Sequence, residues 1–164
     1  MKDPGETSLS KLLSTLISTP RPTTYVFATF SDHSALPRVA EIQLFFREAE
    51  GVTVITTLEY ATAQKINYFF PCRMITLNVT SSLEAVGFMA VLATRLAEAN
   101  IGVNPVSGFY HDRLFVPAEE VDETASVLKV PNHLIQSTEC LSCVGLTSST
   151  VVSSGVDQLQ VKLS

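Results

Sequence analysis

The sequence predicts an α+β fold in which antiparallel strands form sheets and helices cover one face of them. Three observations support this: a strand of alternating apolar residues, an amphipathic stretch directly after it, and a succession of strand, turn, strand and short helix that occurs twice. Hydrophobic residues make up 46% of the 164 residues and charged residues 16%. This composition is typical of a globular chain.

The first part of the chain alternates between helical and β patterns. Residues 8–18 place leucines at helical spacing, with Ser8 as an N-cap. Residues 31–40 are rich in turn-forming residues and predict a loop. Around that loop we predict strands over residues 25–30, 42–47 and 52–57, followed by a short helix over residues 58–66.

The middle of the chain predicts a strand that leads into a long helix. Ile75, Leu77 and Val79 alternate with polar residues, as in a strand covered on one face. Ser81 and Glu84 then match the capping box S-x-x-E, in which each side chain binds a free backbone N–H. The helix is therefore predicted to begin at this box.

The predicted helix runs from Leu83 to Glu98 and ends at Asn100 and Gly102. Its apolar stripe is predicted to comprise Val86, Ala90, Ala93, Leu96 and Ala97. Two more strands, at residues 101–106 and 113–117, and a helix opened by Pro117 follow. Val121, Ala125 and Leu128 are predicted to face inward from that last helix.

The repeated succession of elements predicts two related units. We assign residues 1–70 to a first repeat whose first helix has shrunk to a loop, and residues 71–130 to a second repeat. The second follows the ferredoxin-like order of strands and helices without its last strand. Residues 131–164, rich in Ser, Thr and Val, are predicted to be a flexible tail. The free sheet face is expected to meet a second copy of the repeat or another subunit, and we predict a homo-oligomer such as a homodimer.

Several classes of function are disfavoured by composition and motifs. The net charge is −5 and the eleven Lys and Arg residues are scattered, which argues against nucleic-acid or anionic membrane partners. No signal peptide or membrane span is predicted, so we expect a cytoplasmic protein. Frames for a nucleophilic serine, phosphate loops and dinucleotide loops are absent from the sequence, and we therefore predict no enzyme and no cofactor.

Three cysteines leave a further alternative open. Cys140 and Cys143 have the C-x-x-C spacing of zinc and dithiol sites, but a second such pair is absent. Cys72 and His133 could complete a set of four zinc ligands only if the fold happened to bring them beside this pair. A cysteine-based redox or metal function is the weakest of the hypotheses.

Three separated motifs resemble those of a known family. The segments FREAEGVTVI (46–55), TSSLEAVGF (80–88) and GFYHDRLFVPAEE (108–120) occur in order. They resemble the stand-alone tandem ACT-domain proteins, which are related to the ACT domains of the CASTOR arginine sensors. The resemblance covers roughly residues 8–130. It implies paired ACT-like repeats, frequent dimerisation, and binding of amino acids or similar small metabolites without catalysis.

The resemblance also implies where a ligand would bind. In such proteins the ligand lies between the turn after the first strand and a facing strand, and a helix start attracts a carboxylate through its free N–H groups. Here that region comprises Ser81, Ser82, Leu83, Glu84, Gly87, Val103, Asn104, Val106, Gly108, Tyr110, His111 and Asp112. Glu84, Asp112 and the backbone around Gly108 are candidates for holding the ammonium group of an amino acid.

Simpler interpretations stand beside this hypothesis. Ser81 and Glu84 are explained as a capping box without any ligand. Gly87 is explained by packing, and the polar tips of Tyr110, His111 and Asp112 by a hairpin turn. The competing function is a structural protein–protein interaction module that binds no ligand.

Overall fold

A computed structural model describes residues 5–129 of the chain. The tail assigned to residues 131–164, with Cys140, Cys143 and His133, lies outside the described residues. The strands are β1 Ser18–Phe30, β2 Leu44–Arg47, β3 Val52–Thr57, β4 Phe69–Leu77, β5 Asn104–Ser107 and β6 Asp112–Pro117. The α-helices are α1 Leu9–Ser14, α2 Leu58–Ala63, α3 Phe88–Glu98 and α4 Val121–Val127. Short 3₁₀ turns are formed by His33–Ala35, Val39–Glu41 and Ala118–Glu120.

The six strands form one antiparallel sheet in the order β2-β3-β1-β4-β6-β5. Each half of this order repeats the same arrangement, with the first strand of the repeat at the centre and the second at the edge. The two halves are thus related by an approximate two-fold axis between β1 and β4. The ferredoxin-like α+β fold predicted from the element order is confirmed.

The pairing of β1 with β4 supplies the last strand of the ferredoxin-like order, which the sequence of the second repeat does not contain. In the ferredoxin-like plan, a fourth strand lies beside the first. Here that position is filled by the first strand of the other repeat: Ser18 pairs with Leu77 and Tyr25 with Cys72. The ladder shifts register between Pro20 and Thr24. Each repeat therefore completes its sheet only with the other.

The long crossover helix is present in the second repeat and missing from the first. Between β1 and β2 the described chain has only the turns His33–Ala35 and Val39–Glu41. Asp32 caps the first of them, its carboxylate accepting the N–H of Ser34 at 2.8 Å. The loop predicted at residues 31–40 is thus irregular backbone with single helical turns.

One face of the sheet, here called the α face, is covered by α1, α3 and α4. Side chains of β4 and β6 pack there against leucines of α1 and α3 and against Val121 of α4, and Phe88, Leu92 and Leu96 form the buried stripe of α3. The predicted stripe was wrong except for Leu96, because Val86 precedes the helix and is 85% exposed. The buried core of this face comprises Leu12, Leu13, Ile75, Leu77, Val79, Phe88, Leu92, Leu96, Ile101, Leu114, Val116, Val121 and Leu128.

The opposite face of the sheet carries a second apolar cluster. Tyr25, Ile55, Cys72, Met74 and Phe115 are buried in it. The ring of Phe115 meets that of Tyr25 edge to face, with centroids 6.0 Å apart. Such edge-to-face contacts between rings add to the stabilisation from burial.

The start of α3 differs from the prediction. Residues 78–87, here called the α3 loop, are not helical, and α3 begins at Phe88. The N-cap is Gly87, whose φ of 88° lies in the left-handed region, so the helix cannot continue through it. The predicted capping box does not form: the N–H of Glu84 donates to the Ser82 hydroxyl at 3.1 Å, and Ser81 bonds elsewhere.

None of the helices in the described part of the chain has the length and apolar character needed to cross a membrane.

Replacing Gly87 with alanine should destabilise the fold. A Cβ atom at a left-handed φ clashes with the backbone, so we expect Gly87→Ala to lower the free energy of unfolding by about 1 kcal/mol. Gly102→Ala is the matched control, because a Cβ there meets no atom within 4 Å and its φ is not positive. Urea unfolding of both variants measures the difference. An equal effect of the two changes would contradict this account of where α3 begins.

Candidate ligand-binding site

The N-terminal segment of residues 5–8, here called the strap, lies along the α3 loop. Glu6 forms a parallel bridge with Ser81: its N–H donates to Thr80 O at 2.8 Å, and its carbonyl accepts the Ser82 N–H at 3.0 Å. The contact is close, because a Cβ on Gly5 would lie 2.3 Å from the Ser82 backbone. The amide of Ser82, predicted to be open to a ligand, is therefore bound to the strap.

The side chain of Glu6 fixes the strap to the start of α1. Its carboxylate accepts the N–H groups of Ser8 and Thr7 at 2.8 and 2.9 Å and pairs with Lys11 at 3.3 Å. The hydrogen bond from Ser8, together with Lys11, holds the pKa of Glu6 below its usual range. The charged carboxylate thus connects the strap to the first turn of α1.

A buried hydrogen bond joins the α3 loop to the start of β6. The Ser81 hydroxyl donates to Asp112 Oδ2 at 2.7 Å, and both residues are less than one-tenth exposed. No Lys or Arg among residues 5–129 lies within ion-pair distance of Asp112. A buried carboxylate is unfavourable unless it is bonded, and Ser81 supplies one such bond. Asp112 can thus accept a cationic group of a ligand.

A small cavity opens beside this pair. Its volume is about 110 Å³. Drug-sized ligands occupy roughly 300–1,000 Å³, so this cavity suits a small polar molecule or one end of a larger one. The lining residues are Ser81, Ser82, Leu83, Ala85, Phe88, Met89, Ser107 and Asp112.

The first turn of α3 borders the same cavity through Phe88 and Met89. No side chain caps this helix start, since the N-cap Gly87 has none. The first N–H groups of a helix lack partners within the helix and carry partial positive charge. The cavity thus has a carboxylate on one wall and an uncapped helix start on another, which complements a molecule with one positive and one negative group.

The structure brings together only part of the predicted site. Ser81, Ser82, Leu83 and Asp112 line the cavity. Four further lining residues, Ala85, Phe88, Met89 and Ser107, were missed. The sequence pattern predicts Phe88 and Met89 in the interior of a longer helix, and no local signal marks them as the first helical turn.

The remaining predicted residues do not line the cavity. Glu84 is exposed, and Gly87 is the N-cap of α3. Val103 packs on the core of the α face. Asn104 and Val106 pair with Phe115 and Arg113, which places both on the opposite face of the sheet from Asp112.

The other three predicted residues belong to the hairpin between β5 and β6. The N–H of Gly108 donates to His111 O at 3.2 Å and closes the turn. The His111 ring bonds Val79 O through Nδ1 at 3.1 Å, which ties the hairpin to the α3 loop. Tyr110 is 62% exposed and stacks edge to face with Phe109.

A larger and more open groove lies in the first repeat, between β1 and the start of α2. Its volume is about 710 Å³, and no motif in the sequence marks it. Thr57 borders it and caps α2 by accepting the N–H of Tyr60 at 3.1 Å. The lining residues are Pro22, Thr23, Thr24, Thr57, Leu58, Glu59, Thr62 and Ala63.

Cys72 is the free cysteine of the described part of the chain, and it is fully buried. Its thiol contacts Tyr25 O at 3.4 Å. Burial raises the pKa of the Cys72 thiol to about 12. A nucleophilic or metal-binding cysteine acts as the thiolate, which this environment disfavours.

Family models match the chain in two adjacent regions. Residues 4–73 match one model of the ACT domain, and residues 70–130 match a second model of the same domain. Together the two regions cover most of the 164 residues. No curated protein matches the chain significantly.

Solved structures with the same fold include two bacterial proteins. A Vibrio cholerae protein of unknown function, described as a possible transport protein, is 33% identical with a TM-score of 0.63. The match covers 73% of this chain and 92% of that one. An Agrobacterium tumefaciens protein is 20% identical with a TM-score of 0.55, over 65% of this chain and 81% of the other. The second likeness concerns the fold alone.

The buried thiol of Cys72 should be unreactive in the folded protein. In a full chain carrying Cys140→Ser and Cys143→Ser, we expect a disulfide reagent at mildly alkaline pH to label Cys72 very slowly. The same reagent should label it fully in guanidinium chloride, because unfolding restores an ordinary thiol pKa. Absorbance of the released thiolate follows both reactions. Rapid labelling of the native chain would contradict the burial of this side chain.

Proposed function

Because this chain belongs to the ACT-domain family, we propose that it is a non-catalytic regulatory protein that binds a small amino acid or a close analogue. ACT domains are regulatory ligand-binding modules rather than catalytic domains. The proposed site is the cavity between the α3 loop, the first turn of α3 and Asp112. The observation that carries the proposal is that a buried, Ser81-bonded carboxylate and the uncapped first turn of α3 line the same cavity.

The proposed pose follows from the charges on the two walls. The ligand's ammonium group lies against Asp112, where a charge-assisted hydrogen bond replaces its lost hydration. Its carboxylate lies at the N–H groups that open α3, where the helix dipole favours negative charge. The small volume and the apolar side chains of Phe88 and Met89 favour a short side chain.

Further parts of the proposal rest on the sequence. The kinship with CASTOR-type ACT domains is inferred from the three motifs, and the division at residues 70 and 130 from the repeated element order. The cytoplasmic location and the assembly into homodimers are inferred in the same way. No metal or organic cofactor is proposed for this function.

The alternative function is an interaction module without a ligand. Large apolar side chains on the sheet surface favour it, since Phe46 is 61% and Phe69 78% exposed. Exposed apolar groups of this size often belong to protein interfaces. Thermal unfolding with added amino acids distinguishes this interaction module from the ligand-binding function.

Thermal unfolding in the presence of each of the common amino acids tests the proposal. A ligand that binds only the folded state raises its stability by RT ln(1 + [L]/Kd), so we expect one or a few small amino acids to raise the melting temperature. Asp112→Asn should weaken that binding by at least about tenfold, because it removes the charge opposite the ammonium group while keeping an oxygen for Ser81.

Asp122→Asn is the matched control, because it makes the same change at an exposed position on α4. Ser82→Phe should also abolish the shift by filling the cavity. If no amino acid raises the melting temperature of the unmodified chain, the interaction module is favoured. If Asp112→Asn and Ser82→Phe bind the ligand as well as the unmodified chain does, the site lies elsewhere.

A further inference from the structure

The strap holds the backbone of the cavity wall. It binds Thr80 O and the Ser82 N–H, which are the groups on either side of Ser81 in the chain. The side chain of Ser81 is held separately, by its hydrogen bond to Asp112. Apart from this bridge, the α3 loop has no helix or strand of its own. The positions of Ser81 and Ser82 at the cavity therefore depend on the strap as well as on β6.

The strap does not occupy the cavity. None of the lining residues belongs to residues 5–8. The Ser82 N–H that the strap binds is also distinct from the α3 N–H groups that the proposed pose assigns to the carboxylate of the ligand. The strap thus acts on a ligand through the placement of the wall, and not by competing with the ligand for space or for donors.

The strap is attached less firmly than the helix that follows it. Leu12 and Leu13 of α1 are buried in the α-face core. The strap is joined to the α3 loop through backbone hydrogen bonds, and its ion pair between Glu6 and Lys11 is exposed, where such pairs contribute little. Segments with few buried contacts open at a lower free energy than the core does. The strap can therefore leave the α3 loop while α1 stays packed.

Gly5 makes the docking of the strap sensitive to a single residue. A Cβ atom at this position would lie 2.3 Å from both the Cα and the N of Ser82, far inside van der Waals contact. Any other residue at position 5 must push the strap and the α3 loop apart. Gly5 touches no part of the cavity itself, so a change there separates the docking of the strap from the chemistry of the site.

We propose that docking of the strap and binding of a ligand in the cavity are positively coupled, which makes the strap a regulatory element of this site. The coupling rests on the proposed function. With the strap docked, the α3 loop already places Ser81 and Ser82 at the cavity. With the strap released, the irregular loop must be ordered when the ligand binds, and the apparent affinity falls with the fraction of chains in the competent conformation.

The coupling acts in both directions. A ligand that binds more tightly when the strap is docked must strengthen the docking of the strap by the same factor. Occupancy of the cavity is thereby transmitted to the N-terminal segment, whose backbone becomes less accessible when the ligand is bound. Gly5 and Glu6 are positioning residues in this scheme, because they act on the ligand through the α3 loop.

Amide hydrogen exchange of the full chain, followed by NMR, measures the docking of the strap without a ligand. The Ser82 N–H donates to Glu6 O, so we expect it to be protected in the unmodified chain. Gly5→Ala should remove this protection. The Ile66 N–H, which donates to Ala61 O at 2.9 Å far from the strap, should stay protected and shows that the variant is folded. An unprotected Ser82 amide in the unmodified chain would overturn the proposal.

Titration with glycine, L-alanine and L-serine then measures the coupling. Gly5→Ala should bind the effective amino acid at least about fivefold more weakly than the unmodified chain does. In the unmodified chain, the same amino acid should slow the exchange of the Ser82 amide by an equal factor. Gly102→Ala is the matched control, because a Cβ there meets no atom within 4 Å, and it should change neither quantity. Glu6→Pro, which removes the N–H that binds Thr80 O, is a second variant and should act as Gly5→Ala does.

The outcomes separate this coupling from the ligand site on which it rests. Equal affinity of the unmodified chain and of a folded variant whose Ser82 amide has lost its protection would overturn the coupling and leave the proposed site intact. Tighter binding by Gly5→Ala would mean that the strap blocks the cavity, which is the opposite sign and also overturns the proposal. If no amino acid binds the unmodified chain or either variant, the proposed function fails and the coupling fails with it.

Discussion

The pairing of β1 with β4 is the interaction on which the rest of the structure depends. Each repeat has three strands and leaves one side of its first strand open. Antiparallel pairing of the two first strands closes both open sides at once, so the centre of the six-stranded sheet is shared. The α-face core depends on the same ladder, because Ile75 and Leu77 of β4 are held in register by it. Folding of either repeat is therefore coupled to folding of the other.

The same pairing places the candidate site. The strand β4 ends at Leu77, and the chain must then leave the sheet to enter α3. The α3 loop that makes this exit lies between two distant segments, the strap on one side and the start of β6 on the other. The strap forms hydrogen bonds with the backbone of this loop, and Asp112 accepts a hydrogen bond from the Ser81 hydroxyl. What remains for a ligand is the small cavity bordered by the first turn of α3.

The local part of the prediction was accurate because its signals are local. The alternation of Ile75 and Leu77 identified a strand, and the position of Ser8 identified the start of α1, where it accepts the Lys11 N–H. The start of α3 was wrong, although a capping box was present. The Glu84 N–H bonds to the Ser82 hydroxyl instead of to that of Ser81, and the Ser81 hydroxyl donates to a buried carboxylate 31 residues away. The positive φ of Gly87 then set the beginning of the helix.

The amino-acid sequence by itself determined the type and order of most elements, the duplication, and Ser81, Ser82, Leu83 and Asp112 as parts of one region. The elements and the duplication follow from hydrophobic periodicity and turn chemistry, which act over a few residues, whereas the grouping of these four residues is what the family resemblance implies. Only the tertiary structure decided that the repeats share one sheet, that the strap binds the Ser82 amide, and that Asn104 and Val106 face away from Asp112. Those outcomes depend on contacts between residues far apart in the chain, and a change of one residue in strand register reverses the face on which a side chain lies.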